Sequence, residues 1–176
     1  MITTAMLEAW GWDREALAAG EWWRWMTGHL VHLDAKHTVM NAFGAYVLWW
    51  LLRRDFSLPI LLTVMATSLL TINVGLWFAS SLTVYVGSSA LLHGVAAAGI
   101  AHMIGQGERW GWPLAVVGIL KLLSENIGAT AWLMPGYRVA AEAHLWGVIG
   151  GLLGAIVWRL FWPLGHRDDT RSCDSQ

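Results

Sequence analysis

The chain has 176 residues, of which 56% are hydrophobic and only 13% charged, and its formal net charge is −1. Soluble domains carry roughly 25% charged residues, so this composition excludes an ordinary soluble domain. The scattered basic residues exclude a nucleic-acid footprint, and the lone Cys173 excludes an intrachain disulfide.

The chain starts weakly apolar, and Glu8, Asp13, Arg14 and Glu15 interrupt it before any cleavable-signal pattern develops. Five apolar runs follow, and each reads as a helix. The first covers 36–52 and stops at Arg53-Arg54-Asp55. The second covers 58–79 and the third 89–105, within a stretch from Phe56 to Gly107 that has no Asp, Glu, Lys or Arg. A span needs about 20 apolar residues, so this stretch holds two spans and a short loop. The fourth run covers 110–126 and the fifth 143–162, joined by the one long connection, 128–142. The fold expected is an all-α polytopic membrane protein: one helical domain over 1–165 and a polar cytoplasmic tail over 166–176.

Charge sets the orientation. Arg53, Arg54, Arg109, Arg159, Arg167 and Arg171 fall on one side of the five spans, and Arg14, Arg24, Lys36 and Arg138 on the other. The positive-inside rule puts the first group in the cytoplasm. Trp10, Trp12, Trp22, Trp23 and Trp25, with Trp110, Trp112, Trp158 and Trp162 opposite, read as two interfacial belts. This topology leaves the N-terminus outside the cytoplasm, so residues 1–9 read as the remnant of an additional upstream helix.

Polar residues inside apolar runs are costly and call for a role. His37 and Asn41 are four apart at the start of the first run and share a helical face. Asn41 alone reads as interhelical glue; together the two read as a hydrogen-bond donor site. Gly87-Ser88-Ser89-Ala90 opens the third run, with His93 one turn below Ser89. A serine there caps a helix or serves as a nucleophile. His144 heads the fifth run, above Gly147, Gly150, Gly151 and Gly154, a small-residue pattern that lets another helix approach closely. A hydroxyl and an imidazole at the heads of two spans are the parts of a serine hydrolase. Lys121 and Glu125, four apart on the fourth run, read as a self-neutralising ion pair or else a proton relay. A rival reading gathers His29, His32, Asp34 and His37 into a zinc site, although no HExxH is present.

In order along the chain stand Trp23-Arg24, the series His32, His37 and Asn41 with spacing HxxxxHxxxN, the GxSx stretch from Gly87 to Ala90, and AHxxGxxxG from Ala143 through His144 and Gly147 to Gly151. This series resembles the rhomboid family of intramembrane serine proteases over nearly the whole chain from Trp22 onward. The resemblance implies a rhomboid-like bundle whose usual core has six helices, the first missing or truncated here. It makes Ser89 the nucleophile, rather than Ser88, and His144 its base, a Ser–His dyad with no evident acidic member. His37, Asn41 and the Ser89 backbone N–H become candidates for stabilising the oxyanion, with His32, His93, Gly87, Gly147 and Gly151 in support and neither metal nor cofactor.

The chain has Ala90 where the family usually has glycine, Arg53-Arg54 where many members carry a glutamate, and His93 where many carry tyrosine. His93, the compact length and the WWRWMTGHLVHL opening look like the rhombosortase branch. That likeness implies membrane-anchored protein substrates with Gly-Gly C-terminal tails. It also implies a bacterial inner membrane, with the site open to the periplasm. An inactive rhomboid-like binder of membrane segments is the alternative.

Overall fold

The computed structural model describes residues 4–127 and 140–161. The long connection around Gly136 and Arg138, and the tail with Arg167, Arg171 and Cys173, lie outside the described residues.

Five long helices form where the apolar runs predict them: α4 (Ala35–Leu52), α5 (Leu58–Phe78), α6 (Ser89–Gly105), α7 (Gly111–Asn126) and α8 (Ala141–Phe161). Local chemistry sets their starts. Asp34, extended, caps α4 by accepting from the His37 backbone N–H at 2.7 Å. Pro59 sits in the first turn of α5, where its missing N–H costs nothing. By length and composition α5 and α8 are able to cross a bilayer, and α6 is apolar but shorter.

The small residues of α8 work on two faces. A Cβ at Gly147 or Gly151 would collide with the carbonyls of Ala90 and Gly94 on α6. One at Gly150 or Gly154 would collide with Ser68, Thr71, Thr67 and Val64 on α5. The overlapping glycine pairs therefore serve two neighbours, and α8 lies between α5 and α6 at backbone contact. α6 packs its Gly99 against Leu52 of α4. α7 meets the end of α6 where Gly111 touches Ile104. These contacts bring the N-terminal ends of α4, α6 and α8 and the C-terminal ends of α5 and α7 to one end of the bundle.

A small structured layer covers that end. It contains α1 (Thr4–Trp10), α2 (Arg14–Ala18) and α3 (Arg24–Thr27), and its two-residue strand β1 (Trp12–Asp13) pairs antiparallel with β2 (Val84–Tyr85), Trp12 opposite Tyr85. Residues 4–10 form a short surface helix of seven residues, too short to cross a membrane. Two arginines counted above as flanking charges point inward instead. Arg14 donates to the carbonyls of Leu76, Ser80 and Leu82, at the C-terminal end of α5 where free carbonyls favour a cation. Arg24, 6% exposed, donates to Gly11 O at 2.8 Å and pairs with Glu21 at 2.6 Å. Trp12 and Leu17 are fully buried with Ile72, Leu76, Tyr85, Ala90 and Ala143, so the layer shares one core with the helix ends beneath it.

Candidate active site

The turn before α6 presents Ser89. Gly87 has φ +112°, a conformation that L side chains rarely adopt, and a Cβ there would lie 2.6 Å from His37 Cε1. Its N–H donates to Gly28 O at 2.9 Å, tying the turn to the N-terminal layer. Ser89 is the first residue of α6, where the helix dipole favours negative charge.

Ser89 Oγ lies 2.8 Å from His144 Nε2. The other ring nitrogen, Nδ1, lies 2.8 Å from Glu125 Oε2, and both His144 and Glu125 are buried. A carboxylate only accepts, so Nδ1 carries the proton and Nε2 is free to accept from the serine hydroxyl. The expectation of a dyad with no acidic member therefore needs correction. The Lys121–Glu125 ion pair does form, but it engages one carboxylate oxygen and leaves the other for His144, which comes from a different helix.

His93 lies beneath His144, the rings nearly parallel with centroids 4.1 Å apart. Its Nδ1 lies 2.7 Å from Ser89 O and its Nε2 lies 2.9 Å from Lys121 Nζ. Asn41 is buried on α4, and its amide nitrogen has no hydrogen-bond partner among the described residues. His37, one turn earlier, packs against Gly87. His32 sets its ring edge-on to His37 at 5.1 Å and approaches Ser88 Oγ at 3.4 Å. Ser88 thus faces His32 while Ser89 faces His144.

Tyr85 is a site neighbour that carries no motif in the sequence. Its hydroxyl donates to Gly87 O at 2.5 Å. Burial pushes its phenol well above the usual range, only partly offset by hydrogen bonds with the Ala90 backbone and the Ser89 side chain. His29 packs on the same ring at 5.3 Å and lies 3.4 Å from Asn73 Nδ2. Burial holds the His29 imidazole down at about 4, against the opposing hydrogen bond from Asn73.

The zinc reading of His29, His32, Asp34 and His37 does not survive this arrangement. His29 turns to Asn73 and Tyr85, and Asp34 caps α4. Among the described residues, the group whose ligand atoms converge is His93, Glu125 and His144, within 4.8 Å of one another. There the Lys121 ammonium already contacts His93 and Glu125.

A half-buried hydroxyl, a buried imidazole and a buried carboxylate stand in hydrogen-bonded sequence at the ends of apolar helices, an arrangement of the kind serine hydrolases use. The family model of the Rhomboid domain matches residues 19–161. The chain belongs to the rhomboid family, a family of intramembrane serine proteases, and is an integral membrane protein. Comparison with the curated proteins finds no match, and comparison with solved structures finds none either.

Proposed function

We propose that the protein is an intramembrane serine endopeptidase that cleaves membrane-anchored proteins, with Ser89 as nucleophile and His144 as general base. The observation that carries this reading is the 2.8 Å approach of Ser89 Oγ to His144 Nε2, with Glu125 at the opposite ring nitrogen. His144 takes the Ser89 proton as Oγ attacks the peptide carbonyl, forming a tetrahedral oxyanion. The resulting imidazolium donates that proton to the leaving amine, and an acyl-enzyme remains. Water, deprotonated by the same imidazole, then hydrolyses the ester and returns the proton to Ser89. Glu125 orients His144 and stabilises its charged form, so the assembly is a Ser–His–Glu series rather than a dyad.

Asn41 Nδ2, the His37 ring and the Ser89 backbone N–H are the oxyanion donors. The unpartnered amide of Asn41 supports this role, because a buried donor without an acceptor is costly unless a ligand supplies one. The substrates in this reading are rhombosortase-type proteins with a Gly-Gly motif, a membrane helix and a basic end, cut from the periplasmic side of a bacterial inner membrane. Glycine-rich segments unwind readily, which a backbone-directed nucleophile requires.

A membrane-anchored reporter with a Gly-Gly tail, co-expressed with the wild type or Ser89→Ala, tests this reading. Release by the wild type alone supports it. A fluorophosphonate that labels Ser89 while the reporter stays intact would retain the hydrolase and reject this substrate class. Failure of the folded, membrane-inserted wild type to react with the probe would reject the protease and leave a binder of membrane segments.

A further inference from the structure

Lys121 is a charged side chain next to the Ser89–His144–Glu125 series that this chemistry does not use. Half of its side chain is exposed, whereas that of Glu125 is only 5% exposed. Its ammonium contacts both Glu125 Oε1 and His93 Nε2. These two residues hold His144 from different directions: Glu125 grips Nδ1, and His93 lies flat beneath the ring.

Hydrogen-bond logic fixes what His93 must be. Its Nδ1 faces a carbonyl, Ser89 O, so Nδ1 carries a hydrogen and donates. Its Nε2 faces an ammonium, which has only donors, so Nε2 must present a lone pair. His93 is therefore a neutral imidazole in one defined tautomer, anchored to the backbone of the nucleophile at one end and to Lys121 at the other. The geometry points to Lys121 as a positioning residue: one ammonium on α7 clamps both supports of the His144 ring and thereby sets the alignment of Nε2 with Ser89 Oγ.

The clamp has a second effect. Catalysis puts a proton on His144, 4.1 Å from a second imidazole. With Nε2 of His93 occupied by the lysine donor, the proton from Ser89 has no free nitrogen on the stacked ring to occupy, and it stays where the leaving amine can collect it. Among the described residues, Ser89 on α6 and Lys121 and Glu125 on α7 contact the pair, and His37 on α4 interacts electrostatically with His144.

This inference rests on the proposed Ser89 chemistry, and one labelling experiment separates the two. Purified protein in detergent or bilayer is treated with a fluorophosphonate, and both the rate constant and the final stoichiometry of Ser89 labelling are read. In Lys121→Met the rate is expected to fall tenfold or more while the final stoichiometry stays that of the wild type. A fold defect would lower the stoichiometry instead. Lys121→Arg, whose guanidinium donates to both partners, is expected to recover to within about threefold. Lys121→Gln, a donor without charge, is expected to fall between them. A Lys121→Met rate within twofold of wild type, or Lys121→Arg as slow as Lys121→Met, overturns the clamp while leaving the protease reading intact. A wild type that never labels overturns both.

Discussion

The His93 ring lies under the His144 ring with centroids 4.1 Å apart and planes 14° from parallel. Aromatic stacking of this kind contributes about 0.5–1.5 kcal/mol beyond area burial, and here it confines a ring that must meet a hydroxyl at one angle. His93→Ala is expected to slow Ser89 labelling by roughly tenfold, matching the upper end of that energy. His93→Tyr, which restores a ring at the same place, should recover most of the rate. Equal rates for the Ala and Tyr variants would rule out the stack as the relevant contact.

Asn41 offers an unusual separation of activity from stability. Its side-chain nitrogen is buried without a partner among the described residues, so Asn41→Ala removes an unsatisfied donor rather than a native hydrogen bond. The variant should be at least as stable as the wild type to heat in detergent. Its turnover of a cleavable substrate should drop by about 10²–10³-fold if the amide serves the oxyanion. A stable variant with undiminished turnover would remove Asn41 from the site.

Glycine positions make a graded test of the bundle. Gly151→Val places a branched side chain against the Gly94 carbonyl, where backbone cannot yield, and should abolish folded protein. Gly118→Ala on α7 meets nothing within 4 Å and should be neutral or slightly stabilising. Melting temperature and yield of monodisperse protein report both outcomes.

His29 makes stability depend on pH in a defined window. Its folded value is near 4 because burial disfavours the cation, against 6.5 for the free side chain. Between those values the unfolded chain binds the proton and the folded chain does not. The His29 contribution is thus complete above about pH 6.5 and is lost as the pH falls towards 4, with an upper bound on the order of 3 kcal/mol. The melting temperature of the wild type should decline from pH 7 to 4.5 more steeply than that of His29→Gln. Parallel curves would mean that the imidazole is hydrated after all.

Sequence alone carried the five long helices and singled out Ser89 and His144, which the fold brings to 2.8 Å. Apolar runs bounded by Arg53-Arg54, Ser57-Leu58-Pro59 and Gly87 locate α4, α5 and α6, because helix ends in such a chain are marked by charge, proline and glycine. Ser89 and His144 stand out because polar atoms at the heads of apolar segments need partners. Glu125 was hidden by its own neighbour: Lys121, one turn away, offers a sufficient local explanation, and nothing in the spacing tells that a carboxylate has a second oxygen committed to another helix. β1 and β2 have two residues each, too few for any alternation to register. The inward turn of Arg14 and Arg24 was equally invisible, since the carbonyls they satisfy are supplied by tertiary proximity at the end of α5 and by Gly11.

Gly147 and Gly151 bring the main chain of α8 against the main chain of α6 with no side chain between, while Gly150 and Gly154 seat it on the Thr67 and Thr71 hydroxyls and the backbone of α5. The separation of Ser89 Oγ and His144 Nε2 is then inherited from peptide geometry, not from the sizes of the residues around them. Residues on the outer surface, such as Phe43, Trp50, Leu62 and Val117, face away from these seams and are well exposed. That surface is free to drift, matching the thickness or composition of whichever bilayer houses the protein, while the chemistry inside stays in register.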